Sequence, residues 1–288
     1  MLGAGSTRVK PRLPSTNHNI NHDLLMKAVR KHTDCEWVLL YIERWLVASL
    51  QCKDGGLKER ISGTPQGSII SPVLANLFMH YTFDKWMEMN FPQNPWARSD
   101  DAVEHCRTKE EAERLLIKLN ERFNQCGLEL HPDKTQIVYC KDDDRGGDYP
   151  ITKFDFLGYT FRPRRAKNKY GKFFVNFLPA VSNKACKAMR QTIRNWRIHL
   201  KPDKDLIDIS NMFNPVIRGW INYYSKFYKS ALYTVLRHMN KALIHWARRK
   251  YKKLNRHRTR AERWMGRIAK QLPKLFAHWQ MGILPAAG

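Results

Sequence analysis

Two adjacent aspartates, Asp100 and Asp101, have the residue type and spacing that metal-dependent phosphoryl transfer requires. Carboxylates held by a tight turn can share divalent ions that flank a phosphoryl group and stabilise the attacking and leaving oxygens. Weak alternation of apolar residues from Trp96 to Cys106 predicts a β-hairpin with this pair at its turn. The pair is a weak signal by itself, because adjacent acids in a turn are usually only solvated. We expect that ordinary role for residues 142–144.

Three other segments combine glycines with polar or aromatic residues beside a predicted strand or helix start: residues 63–77, 127–135 and 154–161. The first is a loop containing Pro65, Gln66 and Gly67, where backbone can approach a template or a nucleotide. The second places Lys134 just after a predicted strand, and the third is predicted to be a single aromatic strand. Each segment alone could equally be core and turn chemistry.

Positive charge is confined to the second half of the chain. The formal net charge is +25, and residues 151–288 hold 31 Lys and Arg against 5 Asp and Glu, whereas residues 1–150 hold 20 against 21. A surface this basic is stabilised by a polyanion through counterion release, so nucleic acid is the expected partner. A solvated cationic face and an anionic membrane surface are the weaker alternatives, the latter because Trp and Tyr interrupt the basic residues.

The densest basic cluster cannot fit on one helix face, so several of its members must face solvent and be free to contact phosphate. These candidate RNA-binding residues are Arg248, Arg249, Lys250, Lys252, Lys253, Arg256, Arg258 and Arg260.

The elements that must position these residues follow from apolar periodicity and capping signals. Helices are predicted over residues 23–46 with a break near Thr33, over 71–89, and from a capping box at Thr108 to Gly127. A hairpin is predicted over 51–62. Strands are predicted at 128–130, 136–139, 154–161 and 172–177, and almost only helix from Ser182 onward. The fold class is therefore α+β.

We predict a poorly ordered leader over residues 1–17, a mixed domain over 18–179 and an all-helical domain over 180–288. No apolar run is long enough to span a bilayer, the first residues lack a signal-peptide pattern, and the cysteines show no zinc or disulfide spacing. These features predict a cytoplasmic protein without membrane association.

In their order and spacing, the four blocks around residues 63–77, 100–101, 127–135 and 154–161 resemble the motifs of group II intron-encoded reverse transcriptases. The basic half resembles that family's maturase domain, also called X or thumb, through residues 217–224, 237–240 and 276–279. The likeness extends from about Asn19 to Gly282.

The resemblance implies a reverse-transcriptase palm, an antiparallel sheet with packed helices, followed by an all-α thumb. It implies RNA-directed DNA polymerase activity with Mg²⁺ bound by Asp100 and Asp101, and a template and nucleotide path along Pro65, Gln66, Gly67 and Lys134. It further implies that the chain binds group II intron RNA, assists its splicing and can hold a primer-template. Arg218 and Lys226 would join the RNA-binding residues, whereas Trp220 and Tyr224, four residues apart, are expected to pack in the core.

This sequence departs from the family pattern in three ways. The finger region that precedes these motifs is absent, and no acid occurs between Met1 and His22, where the family has a catalytic aspartate. Arg98-Ser99-Asp100-Asp101 stands where the family has Tyr-Ala-Asp-Asp, one residue short. No zinc-type spacing follows Trp279, so we expect no endonuclease domain. We therefore expect an incomplete two-metal site and impaired polymerisation; the alternative is a non-catalytic RNA-binding splicing cofactor or a degenerate remnant.

Overall fold

The computed structural model describes residues 7–10, 20–51, 55–65, 68–99, 101–132, 135–143 and 149–286. The chain forms two compact units: residues 1–140 with 145–152, here called unit 1, and residues 141–144 with 153–288, here called unit 2. Sequence composition predicted a division near Pro179. The domain limits expected from the sequence, 18–179 and 180–288, stay a prediction.

Five α-helices are described in unit 1: α1 (His22–Val29), α2 (Glu36–Val47), α3 (Ser71–Met79), α4 (Lys85–Asn90) and α5 (Lys109–Gln125). The two helices predicted between residues 23 and 46 are confirmed, with Thr33 in the break between them. The helix predicted over 71–89 is also confirmed. It comprises α3, a π-helical turn at His80–Asp84, and α4.

Helix α5 begins and ends where the capping signals predicted. The Thr108 hydroxyl accepts a hydrogen bond from Glu111 N at 3.2 Å, and the Glu111 carboxylate accepts one from Arg107 N at 2.6 Å. Gly127 follows the helix with a φ of 70°, a backbone conformation that glycine adopts without strain. The strand predicted over residues 128–130 was wrong. Leu128 is fully buried in the core, and this burial, rather than strand pairing, explains its apolar character.

The sheet of unit 1 contains four strands: β1 (Thr7–Lys10), β4 (Trp96–Arg98), β5 (Ala102–Cys106) and β6 (Gln136–Tyr139). Their order is β4-β5-β1-β6 and each neighbouring pair is antiparallel. A separate short hairpin pairs β2 (Leu50–Gln51) with β3 (Leu57–Lys58), which confirms the hairpin predicted there; Asp54 at its predicted turn lies outside the described residues.

Strand β1 corrects the prediction of a poorly ordered leader for residues 7–10. Thr7, Arg8 and Val9 are buried, and the strand is paired with β5 on one side and β6 on the other. The Gly, Pro and Ser around this segment concealed it, because four residues are too few to show alternation. Two-sided pairing satisfies the backbone of even so short a strand.

The core of unit 1 lies between this sheet and the helices. Its largest fully buried side chains include Phe83, Leu115, Leu119 and Phe123. Burying each such side chain contributes about 1.5–3 kcal/mol. The Phe83 ring packs edge-on against Trp96 of β4 at 5.4 Å, so the core fixes the strand that precedes Asp101.

Unit 2 begins with a three-stranded antiparallel sheet in the order β7-β8-β9: β7 (Phe154–Phe156), β8 (Tyr159–Lys167) and β9 (Phe173–Val181). The single strand predicted over 154–161 was wrong, because a turn at Leu157 and Gly158 divides it into β7 and β8. Both turn residues have positive φ, 49° and 77°, as a two-residue hairpin turn of this hand requires.

The remainder of unit 2 is helical, as predicted from Ser182 onward: α6 (Asn183–Asn195), α7 (Leu206–Tyr224), α8 (Ser230–Lys250) and α9 (Arg258–Gln271). Ser182 caps α6, and Asp205 with Asp208 forms a capping box at the start of α7. Trp246 and Trp279 are the largest side chains of the core. The α+β class is thereby confirmed. None of the helices in the described part of the chain has the length and apolar character needed to cross a membrane.

Candidate polymerase site and nucleic-acid interface

The β4–β5 hairpin that the acidic pair predicted is confirmed. Arg98 pairs with Ala102 across it, and Ser99 N donates to Asp101 O at 2.8 Å. Asp101 therefore lies at the turn with its side chain about one-fifth exposed. Asp100 lies outside the described residues.

A lysine lies beside this turn. Because β1 runs antiparallel to β5 with Val9 opposite Glu104, the end of β1 comes next to the start of β5. Lys10 Nζ is 3.5 Å from Asp101 Oδ2, and both side chains are largely buried. An ammonium group thus already neutralises this carboxylate.

The described residues do not fit a magnesium centre at Asp101. A two-metal site needs carboxylates from more than one segment, and the adjacent strand end supplies Lys10 instead of an acid. At this distance an ammonium repels a divalent cation. Within the described residues, no group of three or more His, Cys, Asp or Glu is arranged to hold a metal ion.

The predicted template loop is anchored at both ends. Gly63 N donates to Ile20 O and the His22 ring contacts Gly63 O, each at 2.8 Å, while the Ser71 hydroxyl donates to Pro65 O. Gln66, Gly67 and Lys134 lie outside the described residues, so their assigned roles remain predictions.

Arg98 takes part in an ion pair that the sequence did not reveal. Its Nε donates to Asp84 Oδ1 at 2.6 Å and its Nη2 to Asp84 Oδ2 at 2.8 Å. Asp84 is buried, and the His80 ring lies 3.3 Å from the same carboxylate. This paired geometry is the strong form of a charge-assisted hydrogen bond. No signal marked Asp84, which lies within the π-helical turn.

Glu104 of β5 is a second acid that sequence reasoning missed. Its side chain is fully buried, and among the described residues neither carboxyl oxygen has a hydrogen-bond partner. Burial raises the pKa of Glu104 well above its ordinary value, which favours the uncharged acid. Burial also raises the pKa of the neighbouring Cys106 thiol to about 12.

The candidate RNA-binding residues of unit 2 are mostly exposed. Exposed members of the predicted set are Arg218, Lys226, Arg249, Lys252, Lys253, Arg256, Arg258 and Arg260. Arg248 and Lys250 are half-buried, and Lys250 Nζ donates to Lys204 O at 2.6 Å. The RNA-binding role of these side chains remains a prediction.

A cavity of about 560 Å³ lies among the arginines at the start of α9, lined by Arg256, His257, Arg258, Thr259, Arg260, Arg263 and Arg267. Sequence reasoning missed Arg263 and Arg267. Their spacing of three and then four residues from Arg260 places all three on one helical face, and this was the signal that could have found them.

The aromatic residues of the maturase-like motif on α7 pack internally, as expected. Trp220 stacks on Trp196 with ring centroids 5.6 Å apart, and Tyr224 lies 5.3 Å from Tyr159. A Cβ at Gly158 would come within 2.6 Å of the Tyr224 hydroxyl oxygen, so this close approach requires glycine.

Asn240 of the motif 237–240 is joined to His278 and Trp279 of the motif 276–279 in one buried network. Asn240 Oδ1 accepts a hydrogen bond from Trp279 Nε1 at 2.9 Å and contacts His278 Nε2 at 2.7 Å, while its Nδ2 donates to Ile283 O at 2.9 Å. Burial lowers the pKa of His278 to about 3. Asn240, His278 and Trp279 therefore attach the C-terminal segment to α8.

An antiparallel sheet with an acidic hairpin, flanked by helices and followed by a basic helical unit, defines a polymerase-type fold. The chain belongs to the reverse transcriptase (RNA-dependent DNA polymerase) family, whose model matches residues 15–161. A second model, the group II intron maturase-specific domain, matches residues 186–264. Together they confirm the predicted resemblance to group II intron reverse transcriptases with a maturase domain.

The individual proteins and solved structures that resemble this chain share little sequence identity with it. A putative COX1/OXI3 intron 1 protein of Saccharomyces cerevisiae is 28% identical over 88 residues, 31% of this chain and 10% of that protein. Among solved structures, apo telomerase from Candida tropicalis has a TM-score of 0.49 at 11% identity, with 97% of this chain and 52% of that chain covered. Telomerase from Candida albicans has a TM-score of 0.44 at 10% identity, with 97% and 50% covered. The chain thus spans a tenth of the curated relative and about half of these telomerase chains.

Proposed function

We propose that this chain is a group II intron maturase that binds intron RNA and assists its folding and splicing, with impaired polymerisation. One observation carries the proposal. The segment matched by the maturase-specific model contains 20 Lys and Arg against 4 Asp and Glu. Its apolar residues form their own core, so most of the cations of the predicted set are left on the surface.

The exposed cations of unit 2 need an external partner that compensates their charge. Surface cations at this density repel one another, and each phosphate they neutralise releases a condensed counterion from the RNA. The core is closed by Trp246, Trp279 and Asn240, which are occupied by contacts within the unit. RNA binding therefore falls to exposed arginine and lysine side chains, whose charge the unit itself does not balance.

Impaired polymerisation is supported by the Lys10–Asp101 ion pair. We retain Asp100 and Asp101 as the remaining ligands of an incomplete Mg²⁺ site only as part of this proposal. A primer-extension assay on the purified chain tests it: we expect cDNA at the level of an Asp100→Ala, Asp101→Ala variant. Extension clearly above that variant would favour a working reverse transcriptase acting on a primer-template.

The splicing role is tested with a self-splicing group II intron transcript and a random RNA of equal length. We expect the chain to bind the intron more tightly than the random RNA and to raise the spliced fraction when Mg²⁺ is limiting. Equal affinities would leave only a basic RNA-binding protein. Tight, selective binding without any gain in splicing would favour the remnant. We also propose a cytoplasmic location, which immunolocalisation would test.

Two variants sharpen the assignment. The basic variant changes Arg249, Lys252, Lys253 and Arg260 to Gln, which removes four exposed cations of unit 2. The unit 1 control changes Lys27, Lys31, Arg44 and Arg114 to Gln, which removes the same charge from exposed positions in unit 1. We expect only the basic variant to lose RNA affinity and splicing assistance. Equal losses would mean that net charge alone governs binding.

A further inference from the structure

A basic ribbon formed by β8 and β9 lies between the two family matches, in residues 162–185, which neither model covers. Strand β7 pairs only with Tyr159, Thr160 and Phe161 of β8. Beyond them β8 and β9 continue as six further residue pairs, from Arg162 opposite Leu178 to Lys167 opposite Phe173. In the described part of the chain this ribbon is two-stranded.

Its charge is entirely of one sign. Residues 162–172 contain six Lys and Arg, and no acid occurs from residue 156 to residue 202. Five of these cations are exposed: Arg162, beside the residues that pair with β7, and four nearer the tip, Arg165, Lys167, Lys169 and Lys172. The Asp143 carboxylate touches the ribbon, but it accepts a hydrogen bond from Val175 N at 2.9 Å and is thus directed to the backbone.

Arg164 differs from the exposed cations because its guanidinium is held by contacts within unit 2. Its guanidinium donates to Leu178 O at 3.2 Å and to Thr160 O at 3.3 Å, and it lies 5.3 Å from the centre of the Tyr228 ring. The four exposed cations nearer the tip have no such role in the interior of unit 2.

Two aromatic side chains are exposed among these cations. Tyr170 is 81% exposed and Phe173 is 58% exposed. Lys169 lies 4.9 Å from the centre of the Tyr170 ring, whereas Arg165 and Lys167 lie 5.0 and 5.6 Å from that of Phe173. Exposed rings beside cations are the arrangement by which proteins stack unpaired bases while holding phosphates.

The turn that carries Tyr170 is ordered before any ligand binds. Asn168 Oδ1 accepts hydrogen bonds from Tyr170 N at 2.9 Å and Lys172 N at 3.0 Å, and Asn168 N donates to Lys172 O at 3.0 Å. Gly171 has a φ of 84°, which closes the turn. A preformed platform lowers the entropy cost of binding.

We propose that the tip of this ribbon binds structured RNA at a bulge or loop, where Tyr170 stacks on an unpaired base while Arg165, Lys167, Lys169 and Lys172 contact the flanking phosphates. The proposal rests on the RNA-binding function proposed above and adds a contact surface outside both family matches. It also gives the ribbon a preference for unpaired over fully paired RNA.

The experiment uses the full chain with two RNA hairpins that differ only in the presence of a bulge. The ribbon variant changes Arg165, Lys167, Lys169 and Lys172 to Gln, and the unit 1 control removes the same charge elsewhere. We expect the ribbon variant alone to flatten the dependence of log Kd on log salt, by about one unit for each lost phosphate contact. Circular dichroism and thermal unfolding confirm that the variants are folded.

Stacking is measured separately with Tyr170→Ala and Tyr170→Phe. Loss of a stacked base should weaken binding of the bulged hairpin by about 10-fold in Tyr170→Ala, while Tyr170→Phe retains the ring and the affinity. The fully paired hairpin should bind both variants as it binds the wild type. If the wild type binds neither hairpin nor intron RNA, the proposed function fails. If the wild type binds but the ribbon and Tyr170 variants match the unit 1 control, the ribbon proposal alone is overturned.

Discussion

The candidate polymerase site of unit 1 and the basic surface of unit 2 differ in how far their charges are balanced within the unit. In unit 1, Asp101 is paired with Lys10 and Asp84 with Arg98, and Glu104 is buried with its pKa raised. In unit 2, exposed cations outnumber the acids several-fold. A buried charge that is paired within the fold is not free for an external ligand, because breaking the pair is costly, whereas an unbalanced surface favours an external partner.

This difference bears on the function proposed for the chain. A metal site needs acids without cationic partners, whereas Asp101 and Asp84 are each paired with a cation and Glu104 is buried. The exposed arginines and lysines of unit 2 have the charge that RNA needs. The comparison therefore favours RNA binding over polymerisation, and the following four predictions test it in order of expected effect.

The largest effect should come from salt on RNA binding. If about six phosphates are neutralised, the affinity of the full chain for intron RNA should fall roughly 10³-fold between 50 and 200 mM salt. Filter binding across this range measures the slope. The basic variant should flatten it, and the unit 1 control should not. A slope near zero would show that the exposed cations of unit 2 are not the contact surface.

The second prediction concerns the buried network of unit 2. Asn240→Ala removes the partners of Trp279 Nε1, His278 and Ile283 O, and unsatisfied buried groups of this kind should cost about 3–5 kcal/mol of unfolding free energy in total. Hydrogen exchange should show lost protection in α8 but unchanged protection in α5, which serves as an internal control. Asn222→Ala, at an exposed position on α7, is the matched variant. Protection that survives in α8 would mean that Asn240 is not structural.

Some elements of the fold could be predicted from the sequence and others could not. The α+β class, the long helices and the β4–β5 hairpin were predictable, because periodicity and capping are local properties. The hairpin at Leu157 and Gly158 was missed, since two residues with positive φ interrupt a run that reads as one strand. Strand β1 was missed because its only support comes from pairing partners distant in the sequence.

The candidate site was predictable in residue type but not in its surroundings. Asp101 was found, yet its ion pair with Lys10 depends on the order of strands, which no local pattern reveals. The motif containing Asn240 was recognised by resemblance, but only the structure shows that it is a hydrogen-bonding centre of the core. The exposed ribbon of β8 and β9 was missed because its strand pattern predicted only one more strand of a sheet.

The third prediction reverses the charge at the unit 1 site. Lys10→Asp places a second carboxylate beside Asp101 where an ammonium now lies. We expect Mn²⁺ affinity to rise by about 10 to 100-fold, the range over which changes next to a metal site act. Paramagnetic relaxation of water measures Mn²⁺ binding, and Lys27→Asp is the control because it adds the same charge at an exposed position. Equal affinities in the wild type and Lys10→Asp would mean that Lys10 does not prevent metal binding.

The last prediction uses pH to separate the two units. Burial raises the pKa of Glu104 above its ordinary value of 4.5, so the folded state keeps a proton that the unfolded state loses. Unit 1 therefore loses the stability contributed by this proton as pH rises above 4.5. His278 acts with the opposite sign, because its pKa is lowered from 6.5 to about 3. Its contribution is present above pH 6.5 and is lost as pH falls towards 3.

Glu104→Gln should therefore stabilise α5 and the strands of unit 1 at pH 8, since the amide has no proton to lose on unfolding. At pH 4.5 the two proteins should differ little, and protection of α8 in unit 2 should be unchanged at both values. Hydrogen exchange at the two pH values measures all of these quantities in one chain. His105, whose pKa burial lowers to about 4, opposes Glu104 in the wild type and the variant alike, so it cancels from the difference. A variant less stable than the wild type at pH 8 would show that Glu104 is ionised in the fold. Its charge would then have no partner among the described residues, and the charges of unit 1 would not be internally balanced.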